Sequence, residues 1–184
     1  NKVSSTDSIR DIMRLAFSND LLPTLFHSTT EAWKGLPMEF QSSEQLIAGY
    51  CLQANQVSLG VRAVVERTVE EGENLIVEGA HLVPFLHEIA KKEMVDAYHI
   101  PITLSIMNEK HHRERFSERG TKNLRKIENF YLERFDGIRS IHEYTLTQCE
   151  TDEVEVFDNE DLDETLNLII QFSIQRLFKQ VNSE

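Results

Sequence analysis

The chain has 184 residues, of which 40% are hydrophobic and 27% are charged, and its formal net charge is −12. This is the composition of an ordinary globular domain, which at this length buries about 70% of the surface that its unfolded chain exposes. The negative charge argues against a general nucleic-acid binder, because such a protein needs a basic face. No apolar run approaches the roughly 18–20 residues of a membrane-spanning helix, so we expect no membrane partner.

Two local features add to these bulk properties. Cys51 and Cys149 are far apart and lack the spacing of a metal site, which favours a reducing, cytoplasmic location. Residues 108–139 hold nine Lys or Arg against six Asp or Glu, so this segment is locally basic. Over a Debye length of about 8 Å such a segment attracts a small anion. A helix face with mixed charges is the alternative interpretation.

The first part of the chain predicts a strand, a helix and an irregular segment. Residues 2–5 have the pattern of a strand end, and residues 7–18 that of a helix. The apolar face of this helix is predicted to contain Ile9, Ile12, Met13 and Ala16. Residues 19–41 are irregular because proline and glycine interrupt them. Within them, Ser28 and Glu31 have the spacing of a capping box, which predicts a short helix start.

The middle of the chain predicts a long helix followed by a buried strand. Ser42 and Gln45 repeat the capping-box spacing, and the helix is expected to continue to Glu71 and to end at Gly72. The apolar run in "NLIVEGAH" then predicts a strand that ends at Glu78. Pro84 is a favoured first-turn residue, and it predicts a helix over residues 84–94.

The last part predicts two strands and three helices. "YHIPITLSI" and "EVEVFD" have strand patterns, and residues 108–119 and 123–148 have helical ones. Asp161 and Glu164 are expected to cap a final helix. Its predicted sheet-packing stripe consists of Leu162, Leu166, Ile169, Ile170, Leu177 and Val181.

Alternating strands and helices in this order predict a parallel sheet with crossover helices, in three α/β layers. Ligands bind such sheets at the carboxyl ends of the strands. Four polar residues follow predicted strands directly, and we expect them at one edge of the sheet: Asp7, Glu78, Asn108 and Asn159. Since loops are polar in any case, this spacing by itself indicates no reaction.

Five segments together give a more specific indication: "SSTDSIRDIMR", "LIVEGAHLVP", "RERFSERG", "NFYLERFDGIRSIHEY" and "VFDNEDLDET". In this order and at this spacing they resemble the 2-phosphoglycerate kinase family of P-loop phosphotransferases, over nearly the whole chain. The resemblance implies one P-loop-kinase-like domain over residues 1–184. Its core would be residues 1–107 and 152–184, and its lid and following helix about 108–150.

One departure from the family pattern is large, because no G-x-x-x-x-G-K-[ST] phosphate loop occurs in the 184 residues. In the family this loop comes before the strand that ends in "SSTDSIR". We therefore expect a first strand, the loop and its helix to precede residue 1 in a longer protein, and this chain alone to be inactive. A degenerate relative that has lost its nucleotide loop is the alternative.

The resemblance implies an ATP- and Mg²⁺-dependent reaction in which 2-phosphoglycerate, a small anionic substrate, is converted to 2,3-bisphosphoglycerate. A non-catalytic regulatory or metabolite-binding module of the same fold is an alternative. A kinase for another acidic or phosphorylated metabolite is a further one. A zinc site at His111 and His112 is not expected, because adjacent histidines diverge on a helix.

On the acceptor side, the resemblance implies that Asp7 orients the acceptor hydroxyl and takes its proton, although Asp7 would also suit a helix N-cap. Arg10, three residues on, shares its helix face and would bind a carboxylate or phosphate. The helix start at Ser28 and Thr29 is a second expected anion contact. The resemblance adds His81 and Arg139 as acceptor contacts.

On the nucleotide side, the resemblance implies that Glu78 holds Mg²⁺ through water and that Gly79 lets the ligand approach the backbone. Arg115 and Arg119 share a helix face and are expected to stabilise the transferring phosphoryl group, whereas Arg113 diverges from them. Arg113 and Asn159 complete the expected nucleotide contacts. The alternative for the arginines is a solvated face that pairs with Glu114, Glu118 and Glu143.

Overall fold

The computed structural model describes residues 2–37, 44–84, 97–122 and 130–182, with side chains throughout except at 118–122. The chain divides into two compact units, Asn1–Ala97 and Tyr98–Glu184. The first unit has β1 (Lys2–Ser5), α1 (Thr6–Ala16), two 3-10 helices (Pro23–Phe26 and Thr29–Gly35), α2 (Gln45–Glu70) and β2 (Leu75–Glu78). The second has β3 (Ile102–Ser105), α3 (Glu109–Lys122), α4 (Phe135–Thr151), β4 (Glu155–Asp158) and α5 (Leu162–Val181).

Each unit contains a pair of parallel strands. β1 pairs with β2 so that Ser5 lies opposite Glu78, and β3 pairs with β4 so that Ser105 lies opposite Asp158. The predicted α/β pattern with parallel strands is therefore confirmed within each unit. The residues that follow the paired strands meet at the carboxyl edge of each sheet. One continuous sheet across residues 1–184, with one shared edge, stays a prediction.

The core of the first unit forms where α1 packs on α2. Ile9 and Met13, one helical turn apart, bury their side chains together with Leu25 and Val57. The other two members of the predicted apolar face, Ile12 and Ala16, are exposed, so that part of the prediction is wrong. The buried face of α1 is therefore narrower than the sequence pattern suggested.

The predicted helix ends agree with the structure, including the short helix start at Ser28, which is the N-cap of the Thr29–Gly35 3-10 helix, but one of the three caps is bonded differently. Gly72 ends α2 with φ +65°, and the Asp161 carboxylate accepts a 2.9 Å hydrogen bond from the Glu164 backbone N–H at the start of α5. The capping box at Ser28 does not form. There the Glu31 N–H bonds to the Ser28 carbonyl as in a 3-10 helix, and the Ser28 hydroxyl donates to the Glu31 carboxylate instead.

The predicted sheet-packing stripe of α5 is also wrong for most of its members. Leu162, Leu166, Ile170, Leu177 and Val181 are exposed. The buried position of α5 is Thr165, and Phe172, seven residues further along, meets the Phe157 ring of β4 at 5.6 Å between centroids. The face that packs on β4 is therefore rotated from the most apolar stripe. β2 is likewise only partly buried, since Ile76 is exposed.

Several predictions lie outside the described residues. These are the capping role of Ser42, the helix after Pro84 and residues 123–129 of the predicted helix over 123–148. Among the described helices, none combines the length and the apolar character needed to cross a membrane.

Candidate functional site

The junction between β1 and α1 lies directly against the residue that follows β2. Gly79 has φ +136°, a conformation that side chains rarely adopt. A Cβ atom at this position would lie 2.0 Å from the Thr6 hydroxyl oxygen. Thr6 is fully buried at the first position of α1. Glycine at position 79 is therefore required by the Thr6 side chain, and the close approach of a ligand that the resemblance implies at Gly79 stays a prediction.

Behind this junction the His81 ring is buried and bonded at both nitrogens. Only 1% of the residue is exposed. Its Nδ1 lies 2.9 Å from the Thr6 hydroxyl, and its Nε2 lies 3.1 Å from the Gln53 side-chain oxygen. The Thr29 hydroxyl is more distant from Nε2, at 3.5 Å. His81 therefore joins the start of α1 to the middle of α2.

Burial lowers the pKa of His81 from its ordinary value of 6.5 to about 4. The Asp7 carboxylate raises this pKa and the Arg10 guanidinium lowers it, and both effects are smaller than that of burial. The ring is therefore neutral near pH 7. A neutral imidazole has one donor nitrogen and one acceptor nitrogen, so each of its two bonds has a fixed direction.

Gln53 is a site neighbour that the sequence analysis missed. Its side chain is fully buried, and its Nε2 donates to the Thr24 carbonyl at 2.6 Å and to the His27 carbonyl at 3.1 Å. The available signal was a polar residue on the buried face of α2, whose other buried residues include Tyr50, Ala54 and Val57. A buried amide needs partners, and such a position points to a polar network.

Arg10 and Asp7 come together as the helical spacing predicted. Arg10 Nη2 lies 3.5 Å from Asp7 Oδ1, and Arg10 Nη1 donates to the His27 carbonyl at 3.3 Å. The Arg10 side chain is 14% exposed, whereas that of Asp7 is 66% exposed. Arg10 Nε is buried and has no hydrogen-bond partner among the described residues. Asp7 does not cap α1, because the N-cap is Ser5.

The predicted second anion contact, at Ser28 and Thr29, directly follows His27, whose carbonyl accepts from Arg10 Nη1. Ser28 is the N-cap of the Thr29–Gly35 3-10 helix. Its hydroxyl donates to the Glu31 carboxylate at 2.9 Å, and the Glu31 carboxylate also pairs with Lys34 at 2.6 Å. An anion at this helix start would therefore meet the Glu31 charge, which Lys34 partly offsets.

Glu78 ends β2 at the same edge and is exposed, opposite Ser5 in the parallel register. The first unit thus brings Asp7, Arg10 and Glu78 to the carboxyl edge of one strand pair, with His81 buried behind them. Hard carboxylate oxygens next to a guanidinium suit an anionic ligand with a bound divalent cation.

In the second unit the predicted lid arginines diverge, as their spacing required. Arg115 Nη2 donates to the Glu160 carbonyl at 2.8 Å, in the loop after β4. Arg113 instead lies over the Phe135 ring, 4.1 Å from its centroid, and 3.9 Å from Asp136. The Arg119 side chain lies outside the described residues.

Arg139 and Asn159 both lie at the carboxyl edge of β3 and β4. Arg139 Nη1 donates to the Ile106 carbonyl at 3.0 Å, and the Asn159 backbone N–H donates to the Ser105 carbonyl at 2.8 Å. His142 lies at the same edge and was not predicted from the sequence. Its Nε2 lies 2.7 Å from the Ser105 hydroxyl. Burial lowers the pKa of His142.

Comparison with known proteins finds several similar proteins that share one name. A protein from Methanopyrus kandleri named 2-phosphoglycerate kinase is 35% identical over 180 residues, which is 96% of this chain and 54% of that protein. A protein of the same name from Methanocaldococcus jannaschii is 35% identical over 182 residues, which is 99% of this chain and 57% of that protein. The chain is a relative of the 2-phosphoglycerate kinases. A third protein of that name, from Pyrococcus furiosus, is 36% identical over 170 residues, which is 92% of this chain and 54% of that protein.

The resemblance carried by the five sequence segments is therefore confirmed. The chain spans about half the length of the 2-phosphoglycerate kinases that it matches. No family model matches the sequence. No solved structure matches it either.

We expect Gly79→Ala to destabilise the first unit more than Gly72→Ala does. Gly79 has φ +136° and Gly72 has φ +65°, but among the described residues a Cβ at Gly72 would meet no atom within 4 Å. Gly72→Ala should cost about 1–2 kcal/mol for the left-handed conformation alone. Gly79→Ala adds overpacking against Thr6, typically about 1–3 kcal/mol. Urea unfolding of both variants measures the difference, and equal losses would contradict the contact with Thr6.

We expect the stability of the first unit to fall on acidification because of His81. Its pKa is about 4 when folded against 6.5 for an ordinary imidazole, so the unfolded chain binds more protons between these values. Stability should therefore rise with pH across this window. Unfolding free energies at pH 7 and pH 5 should differ less in His81→Gln than in the parent. An identical pH dependence in both would show that His81 does not titrate in this way.

Proposed function

We propose that this chain supplies the acceptor-binding part of an ATP-dependent kinase that phosphorylates 2-phosphoglycerate to 2,3-bisphosphoglycerate. The observation that carries the proposal is Arg10, whose guanidinium is mostly covered and whose Nε has no partner among the described residues. A guanidinium fork matches carboxylate and phosphate oxygens. The names of the relatives indicate which anion, and they favour the kinase over a non-catalytic module.

2-Phosphoglycerate has a carboxylate, a phosphate and one free hydroxyl. In our proposal Arg10 binds one of the two anionic groups. The other meets the backbone at Ser28 and Thr29, where the first N–H groups of a helix lack partners within the helix. Lys34, which pairs with Glu31 at 2.6 Å, offsets the negative charge beside this turn. These contacts fix both ends of the acceptor, so its hydroxyl has one position.

Asp7 is the residue we propose to act on that hydroxyl. Its carboxylate is exposed and lies on the same face of α1 as Arg10, 3.5 Å from the guanidinium. A substrate anchored on Arg10 would place its hydroxyl within reach of Asp7. The carboxylate would orient the hydroxyl and accept its proton as the phosphoryl group is transferred. Asp7 is a catalytic residue in this scheme, and Arg10 a binding residue.

The P-loop fold, ATP and Mg²⁺ follow from the resemblance and are part of the same proposal. Glu78 would hold Mg²⁺ through water, and the bound ion would neutralise charge on the transferring phosphoryl group. The residues fit this role, because Glu78 is an exposed carboxylate at a strand end. No three metal-ligating side chains cluster among the described residues, and Mg²⁺ in kinases relies mostly on water and substrate phosphates.

The second unit would supply contacts to the transferring phosphate. In the structure Arg115 donates to the Glu160 carbonyl. Replacing that neutral acceptor by a phosphate oxygen would give a stronger, charge-assisted hydrogen bond. Arg119 shares its helix face by spacing, while Arg113 and Asn159 remain proposed nucleotide contacts. Arg139, held by the Ile106 carbonyl, is a proposed acceptor contact. Such arginines act mainly by stabilising transition-state charge.

The acceptor site is tested by calorimetric titration of the chain with 2-phosphoglycerate. Arg10→Ala should weaken binding by roughly 1.5–3 kcal/mol, the range for hydrogen bonds to a charged group. Asp7→Asn should bind as tightly as the parent or more tightly, because it removes a negative charge next to an anion.

The matched control is Arg14→Ala. Arg14 lies one turn further along α1, and its Nη1 is 3.2 Å from Asp11, an ion pair with the same spacing. It should leave the affinity unchanged. A parent chain that does not bind 2-phosphoglycerate would overturn the proposed function. If the parent chain binds 2-phosphoglycerate and Arg10→Ala binds it equally tightly, the acceptor site does not include Arg10.

A further inference from the structure

One buried set of hydrogen bonds reaches the proposed acceptor residues from behind. Gln53 Nε2 donates to the Thr24 carbonyl at 2.6 Å and to the His27 carbonyl at 3.1 Å. The His27 carbonyl also accepts a 3.3 Å bond from Arg10 Nη1. Gln53 and Arg10 therefore share one acceptor, immediately before Ser28. Gln53 itself is fully buried and does not reach the surface where a substrate would bind.

The protons in this set have only one consistent arrangement. The two carbonyl oxygens can only accept, so they take both protons of the Gln53 amide nitrogen. The Gln53 oxygen is then the acceptor for His81 Nε2, which must carry the proton of the neutral ring. His81 Nδ1 therefore accepts from the Thr6 hydroxyl. The bonds run from Thr6 to His81, from His81 to Gln53, and from Gln53 to the His27 carbonyl.

This arrangement determines which nitrogen of the Arg10 guanidinium is available. Nη1 donates to the His27 carbonyl, and Nε is buried without a partner among the described residues. Nη2, which lies 3.5 Å from the exposed Asp7 carboxylate, is the nitrogen left for a carboxylate or phosphate oxygen. If the His27 carbonyl turned away, Arg10 would lose the bond that sets this orientation.

We propose that Gln53 is a positioning residue for the acceptor site, holding the His27 carbonyl so that Arg10 presents Nη2 to the anion. His81 acts through Gln53, because its Nε2 proton keeps the amide in the orientation that donates to both carbonyls. This inference rests on the proposed function for the identity of the anion. It assigns His81 a place behind the site, without direct contact to the substrate.

The test compares Gln53→Met with Gln56→Met in the full chain. Gln56 is three residues along on α2, and its side-chain oxygen accepts from the Thr24 hydroxyl at 2.5 Å. The control therefore removes a bond to the same segment and leaves the bonds of Gln53 to His27 and His81 in place. Gln53→Met should weaken 2-phosphoglycerate binding by roughly 10-fold or more, as expected for a misplaced binding group. It should also speed amide hydrogen exchange over residues 24–31. Gln56→Met should change the affinity by less than about twofold.

A third measurement needs no variant and no ligand. Nitrogen-15 NMR of the parent chain at pH 7 should show a neutral His81 with its proton on Nε2, and a proton on Nδ1 would overturn the arrangement. If Gln53→Met fails to fold, Gln53→Asn replaces it, because a shorter amide keeps the polarity but withdraws the donors.

The outcomes separate this inference from the proposed function. If the parent does not bind 2-phosphoglycerate, the function fails, and faster exchange confined to Gln53→Met still supports the positioning role. Equal effects of the two Met variants on both affinity and exchange would show that Gln53 only packs the interior. That result would overturn the inference while the proposed function stands.

Discussion

Burial of the neutral His81 ring is the constraint on which the organisation of the first unit depends. With 1% of the residue exposed, both ring nitrogens need partners inside the protein. The partners come from the start of α1 and the middle of α2, namely Thr6 and Gln53. Because Thr6 must reach the ring, its hydroxyl occupies the space where residue 79 would have a Cβ, and only glycine fits there. Thus one buried ring fixes the edge at which β1 and β2 end.

Two arginines of the second unit share a second physical feature, which concerns charge. Arg115 and Arg139 each donate to a backbone carbonyl, those of Glu160 and Ile106 respectively. A neutral carbonyl orients a guanidinium without cancelling its charge. In a chain with a formal net charge of −12, this preserves local positive charge where an anionic substrate would bind. Arg10 in the first unit differs, because its Nη2 also lies 3.5 Å from the Asp7 carboxylate.

The sequence predicted those features of the fold and site that depend on near neighbours in the chain. Gly72 at a helix end, Asp161 as an N-cap and the Asp7–Arg10 spacing on one helix face all follow from local geometry, and the structure confirms them. The capping box at Ser28 failed because the segment is a 3-10 helix, in which the backbone uses the amide that the cap needs. Gln53 was missed because its partners lie more than 20 residues away, and no local pattern identifies them.

We propose that Arg10 anchors 2-phosphoglycerate at the carboxyl edge of β1 and β2. A crystal structure of the chain with 2-phosphoglycerate bound tests this directly. We expect carboxylate or phosphate oxygens within hydrogen-bond distance of Arg10 Nη2, with the free hydroxyl next to Asp7 and the His27 carbonyl still bonded to Gln53. A ligand bound away from Arg10 would overturn this placement.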